Sequence, residues 1–262
     1  MSTNTSQSSP SNFVWYELHT YDAAAAETFY HGVLGWDTQD AGMPGKAYTL
    51  LSVGKTPIGG ILLKPASAFA NGATPGWMGY IGVNDLDAFT ERVLTVGGGV
   101  HRAAEDIPAV GRFAVVADPQ GAIFVLFQPK GSRQPQLPSL GTPGTFAWHD
   151  LAAEEWQSEF DFYSDLFGWT RSDAIDMGPA GTYQIFAFDN RPIGGMMTRM
   201  DKTKPPAWLY YINVEDIDAA IARVTAGGGK ITHGPVTVPG DQRIANCLDP
   251  QGAAFGMVAP GK

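Results

Sequence analysis

FVWYELHTYDAAAAETFYHGVLGW, residues Phe13 to Trp36, carries the reading that decides the fold. It opens as an alternating strand, turns at Tyr21-Asp22 and continues as one amphipathic helix closed by Gly35. The chain repeats it 133 residues later as FAWHDLAAEEWQSEFDFYSDLFGW, Phe146 to Trp169. Further echoes keep nearly the same offset. Pro57-Ile58-Gly59-Gly60 returns as Pro192-Ile193-Gly194-Gly195, and Asp118-Pro119-Gln120-Gly121-Ala122 as Asp249-Pro250-Gln251-Gly252-Ala253. Trp77 with Asn84-Asp85-Leu86-Asp87 returns as Trp208 with Glu215-Asp216-Ile217-Asp218, and the Gly97–Gly99 triplet as Gly227–Gly229. Two homologous domains follow, at 12–129 and 145–260, joined by a Pro/Gly/Ser linker at 130–144.

Each half repeats again within itself. WMGYIGVNDLDAFTERVLTVGGG has the strand–Asp–helix–Gly shape of the opening stretch. Three strand-like runs follow each helix: Trp36–Asp40, Lys46–Val53 and Pro57–Lys64, then Val100–Ile107, Arg112–Ala117 and Ala122–Gln128. The unit is β-α-β-β-β, present four times, an α+β fold. Phe29, Tyr30, Val33 and Leu34 fall on one helix face, as do Phe162, Tyr163, Leu166 and Phe167. Asp22 and Asp85 stand at N-cap positions, while Gly35, Gly97, Gly168 and Gly227 stand where a left-handed C-terminal residue is wanted. A four-stranded sheet with one helix behind it leaves a face open, so modules must pair, and a facing pair makes a cup.

At 262 residues the chain has room for two cores. A net charge of -9 argues against nucleic acid and against an anionic membrane as partners. No apolar run reaches the roughly 18 residues that would suggest a membrane helix. Residues 1–11 read as a polar, disordered tail, and the single Cys247 as a buried strand residue. A cytoplasmic monomer or homodimer with a small-molecule ligand is the expectation.

FYHGVLGW, NDLDAF and DPQGAIFVLF within four such modules resemble the vicinal oxygen chelate superfamily of glyoxalases, bleomycin-type resistance proteins and extradiol dioxygenases. The tandem layout with paired Pro-Ile-Gly-Gly turns is similar to the mycobacterial 27 kDa antigen type of glyoxalase-like protein. The resemblance implies two glyoxalase/bleomycin-resistance/dioxygenase-like domains. It also implies metal ligands, His, Glu or Gln, on the first and last strands of each module. Those positions fall here on Trp15, Ile61, Met78 and Val125, and on Trp148, Met196, Leu209 and Gly256. None is a ligand for a hard divalent ion, so no metal or other cofactor is expected.

Strand alternation selects what lines the cups instead. Trp15, Glu17 and His19 share one face of the first strand; Val14, Tyr16 and Leu18 share the other. Trp148 and Asp150 face the second cup, with His149 on the helix side as a hydrogen-bonded core residue. Trp77, Tyr80, Trp208 and Tyr211 begin the opposing strands, as aromatic walls or as core. Glu17 and Asp150 hold one repeat position, each two residues after a tryptophan. Desolvation there would raise a carboxylate's pKa and suit it to general-base work, although a loop hydrogen bond or a cationic ligand would use it equally well. His31, His101 and His233 read as surface residues.

The expected function is binding of a small, partly planar organic molecule in aromatic-lined cups, without metal, for sequestration, resistance or detoxification. Two alternatives stand beside it. One is a metal-dependent enzyme of lactoylglutathione lyase, isomerase or dioxygenase type, with an irregular ligand pair at Glu17 and His19. The other is metal-free acid–base catalysis by Glu17 or Asp150.

Overall fold

The computed structural model describes residues 11–43, 45–72, 74–131 and 141–261, so most of the linker and all of the expected 1–11 tail except Ser11 lie outside the described residues. Ser11 is buried and its carbonyl accepts from Trp169 Nε1 at 2.7 Å, so it belongs to the fold and not to a disordered tail. Four modules follow one another. The first is β1 (Phe13–Thr20), α1 (Ala23–Leu34), β2 (Asp37–Asp40), β3 (Tyr48–Val53) and β4 (Thr56–Leu63). The second is β5 (Gly76–Gly82), α2 (Leu86–Thr95), β6 (Gly99–Ile107), β7 (Gly111–Ala117) and β8 (Ile123–Pro129). The third is β9 (Phe146–Ala153), α3 (Trp156–Phe167), β10 (Thr170–Asp176), β11 (Thr182–Phe188) and β12 (Arg191–Thr198). The fourth is β13 (Ala207–Asn213), α4 (Ile217–Ala226), β14 (Lys230–Val238), β15 (Gln242–Leu248) and β16 (Ala254–Pro260). The strands agree with the sequence expectation to within a residue or two.

Hydrogen bonding runs within each half, giving two eight-stranded half-barrel sheets ordered β2-β3-β4-β1-β5-β8-β7-β6 and β10-β11-β12-β9-β13-β16-β15-β14. Within a module the first and last strands pair in parallel, Glu17 opposite Gly60 and Tyr211 opposite Gly256, and the rest are antiparallel hairpins. The Pro-Ile-Gly-Gly repeats are therefore strand residues of β4 and β12, not turns. Packing density groups the modules differently. Unit 1 holds the described residues up to Val14 with 79–131 and Leu151–Trp208; unit 2 holds Trp15–Met78, 141–150 and Leu209–261.

One motif builds the core of each unit. In unit 2, Trp77 Nε1 donates to the Tyr30 hydroxyl at 2.9 Å, and that hydroxyl donates to Asp249 Oδ2 at 3.2 Å. In unit 1, Trp208 Nε1 donates to Tyr163 at 3.1 Å, and Tyr163 to Asp118 Oδ2 at 3.0 Å. Both tyrosines are fully buried, and burial first, then the facing carboxylate, pushes each phenol well above its usual pKa. Tyr30 stacks on Trp36 and Tyr163 on Trp169. Each aspartate also closes its own turn, since Asp118 Oδ1 accepts from the Gln120 and Ala122 N–H groups and Asp249 Oδ1 from Gln251 and Ala253. The neighbouring glutamine reaches a helix start: Gln251 bonds the Asp22 backbone and Gln120 the Glu155 backbone. The Asp-Pro-Gln-Gly repeat is thus a structural clamp.

Helix ends follow local chemistry with one shift. Asp22, Asp85, Glu155 and Asp216 cap the four helices through their side chains. Gly35 and Gly168 take left-handed φ of 73° and 69°, as expected. Gly97 does so too at 92°, but in the fourth module Gly228 carries the turn at 85°, whereas Gly227 stays at -79°.

The helices of the repeat differ at a buried position. Glu159 of α3 is 1% exposed, where the matching residue of α1 is Ala26. Neither Glu159 oxygen meets a partner in good hydrogen-bond geometry among the described residues, and the group that faces it is the buried Asp118 carboxylate. Burial, and after it the Asp118 carboxylate, raise its pKa to about 9. Asp118 is already supplied with donors, so Glu159 holds the proton at neutral pH. The unfolded chain releases that proton near pH 4.5, the folded chain only near 9. This stabilisation is therefore complete below the lower value and is lost as pH rises through the upper one. Glu159→Gln should raise stability by about 1–3 kcal/mol at pH 8.5 and by much less at pH 5, measured by urea unfolding. Equal gains at both values would show that Glu159 ionises normally.

Candidate functional site

On the first strand the alternation holds. Val14, Tyr16 and Leu18 are buried on one face, while Trp15 and His19 are half-buried on the other. Between these two, Glu17 is only 7% exposed and meets His19 Nε2 at 2.6 Å through Oε1. Trp15 Nε1 donates to the hydroxyl of Tyr48 on β3 at 2.9 Å. Burial, then the charge of Glu17, holds the Tyr48 phenol above its ordinary pKa, partly offset by the bond from Trp15. Indole, phenol, carboxylate and imidazole are thereby gathered on β1 and β3 within unit 2.

The matching strand β9 carries a different set. His149 is 5% exposed and its Nε2 lies 2.6 Å from the Tyr16 hydroxyl, which confirms it as a core histidine. Trp148 and Asp150 are half-buried. Asp150 lies beside Tyr211 of β13, whose phenol is pushed up first by burial and then by that carboxylate. The Tyr211 hydroxyl donates to Asn246 Oδ1 on β15 at 2.9 Å. Position 152, which corresponds to His19, is alanine.

Of the aromatics expected as walls or as core, three are buried. Trp77 and Trp208 are each 8% exposed and hydrogen-bonded within the Tyr30 and Tyr163 core clusters. Tyr80 is 5% exposed and packs edge-on to Phe127 in unit 1. His31, His101 and His233 are exposed, and Cys247 is buried with its thiol pushed up to about 12.

Tyr48 and Asn246 were not singled out in the sequence, yet Tyr48 left a signal there. A Cβ on Gly60 would meet the Tyr48 ring within 2.3–2.5 Å, and one on Gly195 would meet Tyr183 within 2.0–2.5 Å. In both repeats the tyrosine precedes its glycine by 12 residues. The second glycine of Pro-Ile-Gly-Gly makes room for a ring.

The donor set does not fit a divalent metal held in the manner of this fold. Ile61, Val125 and Met196 are fully buried apolar side chains, and the Tyr211 ring covers Gly256. Among the described residues no group of three or more His, Cys, Asp or Glu side chains comes together.

Comparison with known proteins agrees with the architecture. The model described as Glyoxalase/Bleomycin resistance protein/Dioxygenase superfamily matches residues 146–257, and the Glyoxalase-like domain model matches 15–127. CFP32 of Mycobacterium bovis, which carries a provisional glyoxylase name, is 31% identical over 94% of each chain. The anthracycline biosynthesis protein DauV of Streptomyces sp. strain C5 is 32% identical, over 93% of this chain and 91% of its own. Among solved structures, the Mn(II)-bound glyoxalase of Novosphingobium aromaticivorans superposes with a TM-score of 0.66 at 15% identity, covering 97% of this chain and 84% of that one. The 2,3-dioxygenase LapB of Pseudomonas sp. KL28 gives 0.65 at 12% identity, covering 96% and 92%.

The ring-over-glycine contact makes a direct prediction. Gly60→Ala should displace Tyr48, break its bond to Trp15 and cost about 1–3 kcal/mol in urea unfolding. Adding Tyr48→Ala removes the clash, so the double variant should lose less than the sum of the single variants. Strict additivity would mean that the ring does not occupy the glycine's space.

Proposed function

Because this chain belongs to the glyoxalase/bleomycin resistance protein/dioxygenase superfamily, we propose that it binds a flat, partly aromatic organic molecule without a metal, at the Trp15–Tyr48–Glu17–His19 face. The observation that carries this reading is the half-buried Trp15, tethered to Tyr48 and flanked by the Glu17–His19 pair. A tethered indole is a rigid stacking platform, and a neighbouring carboxylate–imidazole pair supplies polar groups that orient a ligand. The relatives named for anthracycline biosynthesis support a ligand of fused-ring shape, since anthracyclines contain a flat quinone system. The task would be sequestration, resistance or detoxification. Asp150 with Tyr211 and Trp148 would offer a second, more acidic face.

The 2.6 Å contact between Glu17 and His19 favours one further reading, metal-free acid–base catalysis. A buried carboxylate that holds one ring nitrogen leaves the other to exchange a proton with a phenol or enol of the ligand.

Quenching of tryptophan fluorescence by 1,4-dihydroxyanthraquinone provides the test. Trp15→Ala should weaken binding about tenfold, equivalent to about 1.4 kcal/mol and within reach of one lost aromatic contact. Unchanged affinity in a Trp15→Ala/Trp148→Ala variant would remove the stacking surface from consideration. Glu17→Gln separates the two readings. If the native protein converts an enolisable quinone and this variant is about 10²–10⁴ slower while binding persists, the dyad is catalytic; binding without turnover in either protein supports sequestration.

A further inference from the structure

Unit 2 contains a groove of about 750 Å³ along α1 and α4, whose lining includes Phe29, Ala25, Gly32, Gly227 and Arg223. It involves none of the β1 and β3 residues described above. Its volume falls in the range of small-molecule sites. Phe29 is 4% exposed, and Gly227 is kept small by it, since a Cβ there would come within 3.0 Å of the ring.

The repeat in unit 1 shows what this groove lacks. There Arg92 of α2 lies 3.5 Å from the carboxylate of Asp165 on α3 and also donates to the Asp165 carbonyl. The corresponding arginine in unit 2 is Arg223, 131 residues after Arg92, and it likewise holds a helix-end carbonyl, that of Val33 at 2.9 Å from Nε. The residue corresponding to Asp165, however, is Gly32. Gln157 and Ser158 of unit 1 are replaced in the same way by Ala24 and Ala25. No carboxylate pairs with Arg223 among the described residues. The other charged lining group, Asp22, lies at the opposite end of α1, where it caps the Ala25 N–H. Ten residue steps along the helix separate Asp22 from Gly32, on the order of 15 Å. A guanidinium without the internal anion that its counterpart has, beside an apolar trough, matches an amphiphile with a single negative charge. The Arg92–Asp165 pair shows that the equivalent α2–α3 crossing of unit 1 accommodates a carboxylate.

We propose that the α1–α4 groove binds a small amphiphilic carboxylate, whose anion pairs with Arg223 in the place that Asp165 takes in unit 1 and whose apolar body covers Phe29 between Ala25 and Gly227.

Amide NMR titration of the full chain tests this with 4-phenylbutyrate and its uncharged counterpart 4-phenylbutanol. The acid should shift the Gly32, Gly227 and Arg223 signals and bind at least about tenfold more tightly than the alcohol. Arg223→Gln should abolish that preference, whereas Arg92→Gln should leave it intact. Gly32→Asp installs the missing internal carboxylate, at a position where a Cβ meets nothing within 4 Å. This variant should fold at least as stably as the native chain and lose at least about tenfold in affinity for the acid. Equal affinity for acid and alcohol, or undiminished binding in Gly32→Asp, would overturn the proposal.

Discussion

Everything in this fold is arranged around a hydrogen-bonded chain that occurs twice, from tryptophan to tyrosine to aspartate. Trp77, Tyr30 and Asp249 form it in unit 2, and Trp208, Tyr163 and Asp118 form it in unit 1. Each member is buried, and stranding one polar group there would cost about 1–3 kcal/mol. The chain joins the first strand of one module, the helix of another and the Asp-Pro-Gln-Gly turn of a third element in a single geometry. It also consumes two tryptophans that would otherwise have been available to a ligand.

Beside those committed indoles, Trp15, His19, Tyr48, Trp148 and Asp150 stay half-buried on β1, β3 and β9. Tyr48 lies over Gly60, Tyr211 lies over Gly256, and Glu17 is locked to His19. Ile61, Val125 and Met196 are fully buried apolar side chains, and Gly256 lies under the Tyr211 ring. The two halves have also diverged from each other: His19 corresponds to Ala152, Glu159 to Ala26 and Asp165 to Gly32. Each difference places a titratable group in one copy only, so duplicated architecture supports unequal chemistry.

The repeats made the architecture legible because four copies of strand, helix and hairpins leave register marks that single elements do not. Alternation read β1 correctly and assigned His149 to the core, where Tyr16 holds it. It left Trp77 and Trp208 open between wall and core because β5 and β13 carry bulky residues on both faces. Gly227 was assigned the turn that Gly228 makes, an ambiguity built into any glycine triplet. Tyr48 escaped notice because its partner is a glycine, and a missing side chain advertises nothing until the ring above it is seen. The 133-residue offset already aligns Glu159 with Ala26 and Asp165 with Gly32, but the burial of Glu159 and the Arg92–Asp165 contact that give those differences meaning are properties of the fold.

Calorimetric titration of untagged, chelator-treated protein with Mn(II), Ni(II) and Zn(II), in the presence and absence of a bound planar quinone, is the most direct test of recognition by stacking instead of coordination. Stacking predicts no stoichiometric metal binding and a quinone affinity unaffected by any of the ions. One ion per domain bound at micromolar or tighter affinity, with the quinone dependent on it, would contradict it.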